Sequence, residues 1–155
     1  MAVEIERRFV VDRLPAGLAL DEGTPMRQGY LAMVDTVTVR VRITATAAVL
    51  TVKAGTGMAR TEVEVPLPMD EAEQLWSHTG GRSLSKTRHH VVLADGTGVD
   101  LDRYHGTLAG LVTVEVEFPD LGTAECFTPP VWFGTEVTGR PEWSNAALAR
   151  SGRPA

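Results

Sequence analysis

The sequence predicts a single α+β domain that is mainly β, and three observations predict it. Eight runs alternate apolar and polar residues at the period of two expected of a half-buried strand. Helical spacing or start signals are confined to two or three short stretches. The polar faces are charged, and same-sign pairs two residues apart recur on six runs: Glu4/Glu6, Arg40/Arg42, Glu62/Glu64, Lys86/Arg88, Asp100/Asp102 and Glu115/Glu117.

The first run, residues 3–11, puts Glu4, Glu6 and Arg8 on one face and Val3, Ile5, Phe9 and Val11 on the other. Residues 12–20, broken by Pro15 and Gly17, predict a short helix or turn. A second run, 26–33, carries Gln28 and Tyr30 on one face. Residues 36–43 alternate most cleanly, with Thr38, Arg40 and Arg42 opposite Val37, Val39, Val41 and Ile43. In 49–53, Thr51 and Lys53 face away from Leu50 and Val52. Gly55-Thr56-Gly57 lacks the lysine of a phosphate-cradling loop and predicts a hairpin turn. Arg60, Glu62 and Glu64 then oppose Val63 and Val65, and Pro66 and Pro68 are expected to end that strand because proline cannot donate to a ladder.

Residues 69–78 predict a helix, acidic at Asp70 and Glu71, stopped by Gly80-Gly81 and using Met69, Leu75 and Trp76 as core contacts. The run 83–93 carries Lys86, Arg88 and His90 on one face. After the turn Asp95-Gly96, residues 99–104 carry Asp100 and Asp102. The last strong run, 111–118, sets Thr113, Glu115 and Glu117 opposite Val112, Val114, Val116 and Phe118. A short helix is expected at 144–148, started by Ser144. Residues 1–150 form the expected domain, and 151–155 a flexible tail.

At 155 residues, 43% hydrophobic and 23% charged, the chain has material for one core. No apolar run is long enough for a membrane-spanning helix, and the start lacks the order of a secretory signal, so a cytoplasmic protein is expected. The single cysteine, Cys126, fits a reducing compartment; without basic neighbours in sequence it is expected to be inert packing. A net charge of −5 argues against a broad basic surface, and no nucleic-acid partner is expected. His78, His89, His90 and His105 lack regular metal-ligand spacing, and no nucleophile elbow is present. Trp132, Phe133 and Trp143 are expected to cap one end of a barrel.

On an open sheet the charged faces would simply be wet, with each ion pair worth about 0 to 1 kcal/mol. Like charges two residues apart repel unless something compensates them. Strands that close into a barrel turn such faces inward, and a charged interior calls for a ligand. Arginine and lysine suit phosphate oxygens. Carboxylates from several strands suit Mg²⁺ or Mn²⁺. The joint expectation is a divalent metal complex of a polyphosphate.

An ordered set of motifs covering residues 4–148 carries a resemblance. It runs Glu4-Ile5-Glu6-Arg7-Arg8, Arg27-Gln28-Gly29-Tyr30-Leu31, Val39-Arg40-Val41-Arg42, Thr51-Val52-Lys53, Glu62-Val63-Glu64, Lys86-Thr87-Arg88, Asp100-Leu101-Asp102 and Val114-Glu115-Val116-Glu117. In this order they resemble the CYTH family, the triphosphate tunnel metalloenzymes, and in particular its inorganic tripolyphosphatases. The resemblance implies an eight-stranded antiparallel closed barrel, a tunnel, with a few short flanking helices. It implies phosphate binding by Arg8, Arg40, Arg42, Lys53, Lys86 and Arg88, and Mg²⁺ or Mn²⁺ binding by Glu4, Glu6, Asp102, Glu115 and Glu117. Glu62 and Glu64 would help position metal or water, and Tyr30 and Lys53 match a catalytic pair around the terminal phosphate. Arg8 departs from the family, whose motif has lysine there. The expected activity is metal-dependent hydrolysis of inorganic tripolyphosphate, with a homodimer as the expected assembly. The alternatives are a class IV adenylate cyclase acting on ATP and a non-catalytic polyphosphate- or nucleotide-binding module.

Overall fold

The computed structural model describes residues 2–155. Its strands are β1 (Val3–Val10), β2 (Thr24–Val34), β3 (Val37–Ile43), β4 (Ala48–Ala54), β5 (Ala59–Leu67), β6 (Ser83–Val92), β7 (Gly98–Tyr104) and β8 (Val112–Glu117). They lie in the spatial order β5-β4-β3-β2-β6-β7-β8-β1, and antiparallel pairing of β1 with β5 closes the barrel. Helix α1 (Met69–Trp76) joins β5 to β6. After β8 the chain forms α2 (Leu121–Cys126), a two-residue strand β9 (Thr135–Glu136) and α3 (Asn145–Ser151). No helix among the described residues is long and apolar enough to cross a membrane.

The apolar core lies mostly outside the barrel wall. Phe9, Val91, Val99, Leu101, Val114 and Val116 alternate with the inward polar residues of their strands. They are covered by Leu14, Leu18 and Leu20 and by Ala124, Phe127 and Phe133. Phe133 meets Phe9 with ring centroids 5.0 Å apart. Burying each such large side chain is worth about 1.5 to 3 kcal/mol. A second apolar group lies under α1, where Ala72 and Trp76 pack on Val41, Ile43 and Ala48. A third fills one end of the barrel: Val10, Leu84 and Tyr104 meet Val137, Trp143 and Leu148 of the C-terminal segment.

Two consecutive arginines tie that segment down. Arg7, on the outer face of β1, donates to Glu136 of β9 and to the carbonyls of Ala124 and Phe127 at 2.8 to 2.9 Å. Arg8, on the inner face, donates to Asn145 Oδ1 of α3 at 3.0 Å. β1 pairs with β5 only over residues 3–5, and β9 takes up the same strand again at Phe9 and Val10.

Several sequence expectations are corrected. β5 continues through Pro66, which sits opposite Val49, to Leu67. β1 covers β5 only from Ala59 to Thr61, so Pro66 lies where one edge is unpaired, the setting in which a strand tolerates a missing donor. Of the two forms expected of residues 12–20, the turn is the one taken: Leu18 N–H donates to Pro15 O, and the leucines of this stretch cover the core. Cys126 is exposed at the end of α2 and is not packed. Ser144 caps the last helix as expected, accepting from Ala147 N–H, but α3 extends to Ser151.

Gly134 begins the return of the chain to the barrel. Its φ is +76°, and a Cβ there would lie 2.3 Å from the carbonyl oxygen of Val10. Gly134→Ala is therefore expected to destabilise the fold by about 1 to 3 kcal/mol from backbone strain alone, with more from the clash. Denaturant unfolding at constant pH measures it; an unchanged midpoint would contradict this packing of the tail.

Candidate active site

The inward side chains enclose a cavity of about 450 Å³. Glu4, Glu6, Arg8, Tyr30, Arg40, Arg42, Lys53, Glu62, Glu64, Arg88, Glu115 and Glu117 line it, so most residues named from sequence converge. Lys86 and Asp102 do not line it: they form a pair in the wall, 1% and 0% exposed, with Nζ 2.6 Å from Oδ2.

Around the barrel the charges are segregated by strand. The charged inward residues of β3, β4 and β6 are all basic (Arg40, Arg42, Lys53, Lys86, Arg88), whereas β5, β7, β8 and β1 supply the carboxylates, along with Arg60 and Arg8. The two halves meet at β4/β5, where Lys53 is directly opposite Glu62, and at β6/β7, where Arg88 is directly opposite Asp102. Arg88 donates to both Asp102 oxygens at 2.8 Å. Burial alone would raise the Asp102 carboxyl, but Lys86 and Arg88 hold it below the usual range. Burial would likewise raise Glu115, but Arg8, Arg88, Lys86 and Lys53 hold it well below.

On the basic side, Arg40 and Arg42 have no carboxylate closer than 3.3 Å, although Glu62 and Glu115 act on Arg40 from further off. They share one half-exposed carboxylate, Glu64, at 4.0 and 3.3 Å. Arg40 Nε is buried without a hydrogen-bond acceptor. Burial and repulsion from Arg40 and Arg88 lower the Arg42 pKa. An anion between these guanidinium groups would relieve both conditions. Tyr30 is buried beside them, opposite Arg40 in the ladder, and its hydroxyl accepts from Gln28 Nε2 at 3.3 Å.

On the acidic side, Lys53 Nζ lies 2.8 Å from Glu4 and 3.0 Å from Glu62, and Arg60 lies 2.9 Å from Glu6. Glu6 is directly opposite Glu117. Burial, followed by repulsion from Glu6, pushes the Glu4 carboxyl up to about 8 despite Lys53. Burial and then Glu62, Glu6 and Asp100 raise Glu117. Among the described residues no three His, Cys, Asp or Glu side chains are gathered as a metal cluster; Glu4, Glu6, Asp102 and Glu115 are instead held by lysine or arginine.

The sequence reading left Arg60 out of the site, although its parity with Glu62 and Glu64 on β5 was the available signal. Asp100, left out of the expected metal ligands, lines the cavity and lies 3.1 Å from Arg88. Thr138, Trp143 and Asn145 also line the cavity, from the short turns after β9 and the start of α3, where no run of alternating residues marks them.

No family model matches the sequence. An inorganic triphosphatase of Nitrosomonas europaea is 41% identical over 149 residues, covering 96% of this chain and 97% of the relative. An inorganic triphosphatase of Acetivibrio thermocellus is 33% identical over 152 residues, covering 97% of this chain and 96% of the relative. A crystal structure of an inorganic triphosphatase superposes with a TM-score of 0.72 at 39% identity, covering 99% of each chain.

The shift at Glu4 fixes a pH dependence. The folded protein keeps this proton up to about 8, while an ordinary glutamate loses it near 4.5. Between those values the folded state binds more protons than the unfolded state, so stability falls as pH rises and levels off above about 8. In chelator, the denaturation midpoint is expected to decline from pH 5 to pH 8, and Glu4→Gln to flatten that decline. Equal slopes in the two proteins would contradict the burial of Glu4.

Proposed function

The chain belongs to the family of the inorganic triphosphatases, and from that premise we propose that it hydrolyses a terminal phosphoanhydride of inorganic tripolyphosphate inside the barrel. Within the family we place it among the CYTH proteins, the triphosphate tunnel metalloenzymes. The observation that carries the reading is the pair Arg40 and Arg42, buried or nearly so, sharing one half-exposed carboxylate and facing a wall of glutamates. That arrangement leaves unbalanced positive charge where a polyphosphate would lie.

Arg40, Arg42 and Arg88 would hold phosphate oxygens, and their planar donors suit that role. Lys53, already between Glu4 and Glu62, would turn a donor toward the terminal phosphate, with the Tyr30 hydroxyl near it. Glu62 Oε2 is buried 3.0 Å from Lys53 Nζ, a contact that would loosen as Lys53 turns to the phosphate. It would therefore be available to orient the attacking water in line with the bond that breaks. Lys86 would act at one remove, holding Asp102 and through it Arg88.

The donor chemistry fits a divalent cation at Glu4, Glu6 and Glu117. All three offer oxygen, Glu6 and Glu117 are directly opposed, and Glu4 and Glu117 are raised first by burial and then by neighbouring carboxylates. Asp102 and Glu115 fit less well, being committed to arginine. Mg²⁺ or Mn²⁺ bound there would supply charge neutralisation to the phosphate oxygens.

The test is orthophosphate release from tripolyphosphate, ATP and thiamine triphosphate with Mg²⁺, with Mn²⁺ or with chelator. Tripolyphosphate is expected to be the fastest substrate, and only with metal. Glu117→Gln is expected to lower turnover by about 100-fold, and Arg42→Ala to raise KM by about tenfold. No release by the wild-type protein, or full release by Glu117→Gln, would overturn the reading; cyclic AMP formed from ATP would replace it with a cyclase.

A further inference from the structure

Arg8 lines the cavity with both terminal nitrogens already engaged. Nη1 donates to Glu115, and Nη2 donates to the Tyr104 hydroxyl at 2.8 Å and to Asn145 Oδ1 at 3.0 Å. The hydroxyl donates onward to the same Asn145 oxygen at 2.6 Å and accepts from Thr113 Oγ1 at 3.4 Å. Arg8, Tyr104 and Asn145 thus form a closed triangle built from β1, the end of β7 and the first residue of α3. Arg8 is 8% exposed and Tyr104 3%. Three of the five guanidinium donors are used in this way, which leaves the second on Nη1 and the one on Nε, and Nε is buried with no acceptor in the protein.

A guanidinium is planar, so fixing Nη1 and Nη2 also fixes the direction of Nε. A lysine, the residue of the resembling motif, carries its charge on one rotatable nitrogen and has no such plane to orient. The acceptors around Arg8 match what an arginine needs and a lysine does not.

We propose that Tyr104 and Asn145 are positioning residues for Arg8, fixing its guanidinium plane so that the N–H groups it has left over are presented to the bound triphosphate. The inference rests on the triphosphatase reading and deepens it, because it makes the C-terminal helix part of the anion site. Neither residue needs to touch the substrate; both act through Arg8.

A mutant cycle tests this. Tyr104→Phe and Asn145→Leu are made in the wild-type protein and in Arg8→Lys. The Kd for inorganic tripolyphosphate is measured by calorimetry in chelator, and kcat and KM are measured with Mg²⁺. In the wild-type background each substitution is expected to raise Kd and KM by about tenfold, the scale of one charge-assisted hydrogen bond, with kcat changing less. In the Arg8→Lys background each is expected to add no more than about twofold, because the group they orient is gone. Equal losses in both backgrounds would assign them to tail packing and overturn the proposal. Tyr104→Phe keeps the ring, so that arm decides if Asn145→Leu fails to fold. Wild-type protein that binds tripolyphosphate without hydrolysing it would end the hydrolase reading, and the cycle would then be read on Kd alone. Failure both to bind tripolyphosphate in chelator and to turn it over with Mg²⁺ would overturn both.

Discussion

The barrel interior carries charge of both signs, and neither half can be buried without the other. An unpaired charge inside a protein costs several kcal/mol, and removing one partner of a buried pair typically costs about 3 to 5 kcal/mol. The two seams meet this constraint directly, with Lys53 opposite Glu62 and Arg88 opposite Asp102. The same pairing explains why the apolar core lies outside the wall, under residues 14–20, α1 and α2. A barrel with a charged lumen must bury its hydrophobic faces elsewhere.

Balance at the seams leaves imbalance between them. Arg40 and Arg42 lie on the basic side with one half-exposed counter-ion, and Glu6 and Glu117 are directly opposed on the acidic side. Burial holds both excesses within one cavity of about 450 Å³. A triphosphate brings negative charge to the first, and a divalent cation would bring positive charge to the second. The proposed metal complex of a triphosphate is itself two-signed and would answer both excesses.

Much of the fold was legible because a strand with a charged inner face writes its period into the sequence. The runs around Arg40, Glu62 and Glu115 needed no more than parity to be placed on the inner face. Parity does not give register, however, and register decides that Lys86 and Asp102 pair with each other in the wall. Nor does it give which edge of a strand is covered, which is why Pro66 was misread as an end. The tail was the least legible part. Thr138 reaches the site from the loop after β9 and Asn145 from the first turn of α3, held by Arg7 outside the wall and Arg8 within it, and no strand period connects them.

The most direct measurement is a crystal structure of the protein with inorganic tripolyphosphate in chelator, which removes metal and arrests turnover. The phosphate chain is expected inside the barrel, with oxygens about 2.7 to 2.9 Å from the guanidinium groups of Arg40 and Arg42, and with Glu64 released from them. Tripolyphosphate bound outside the barrel, with both arginines still on Glu64, would contradict a tunnel built around unbalanced charge.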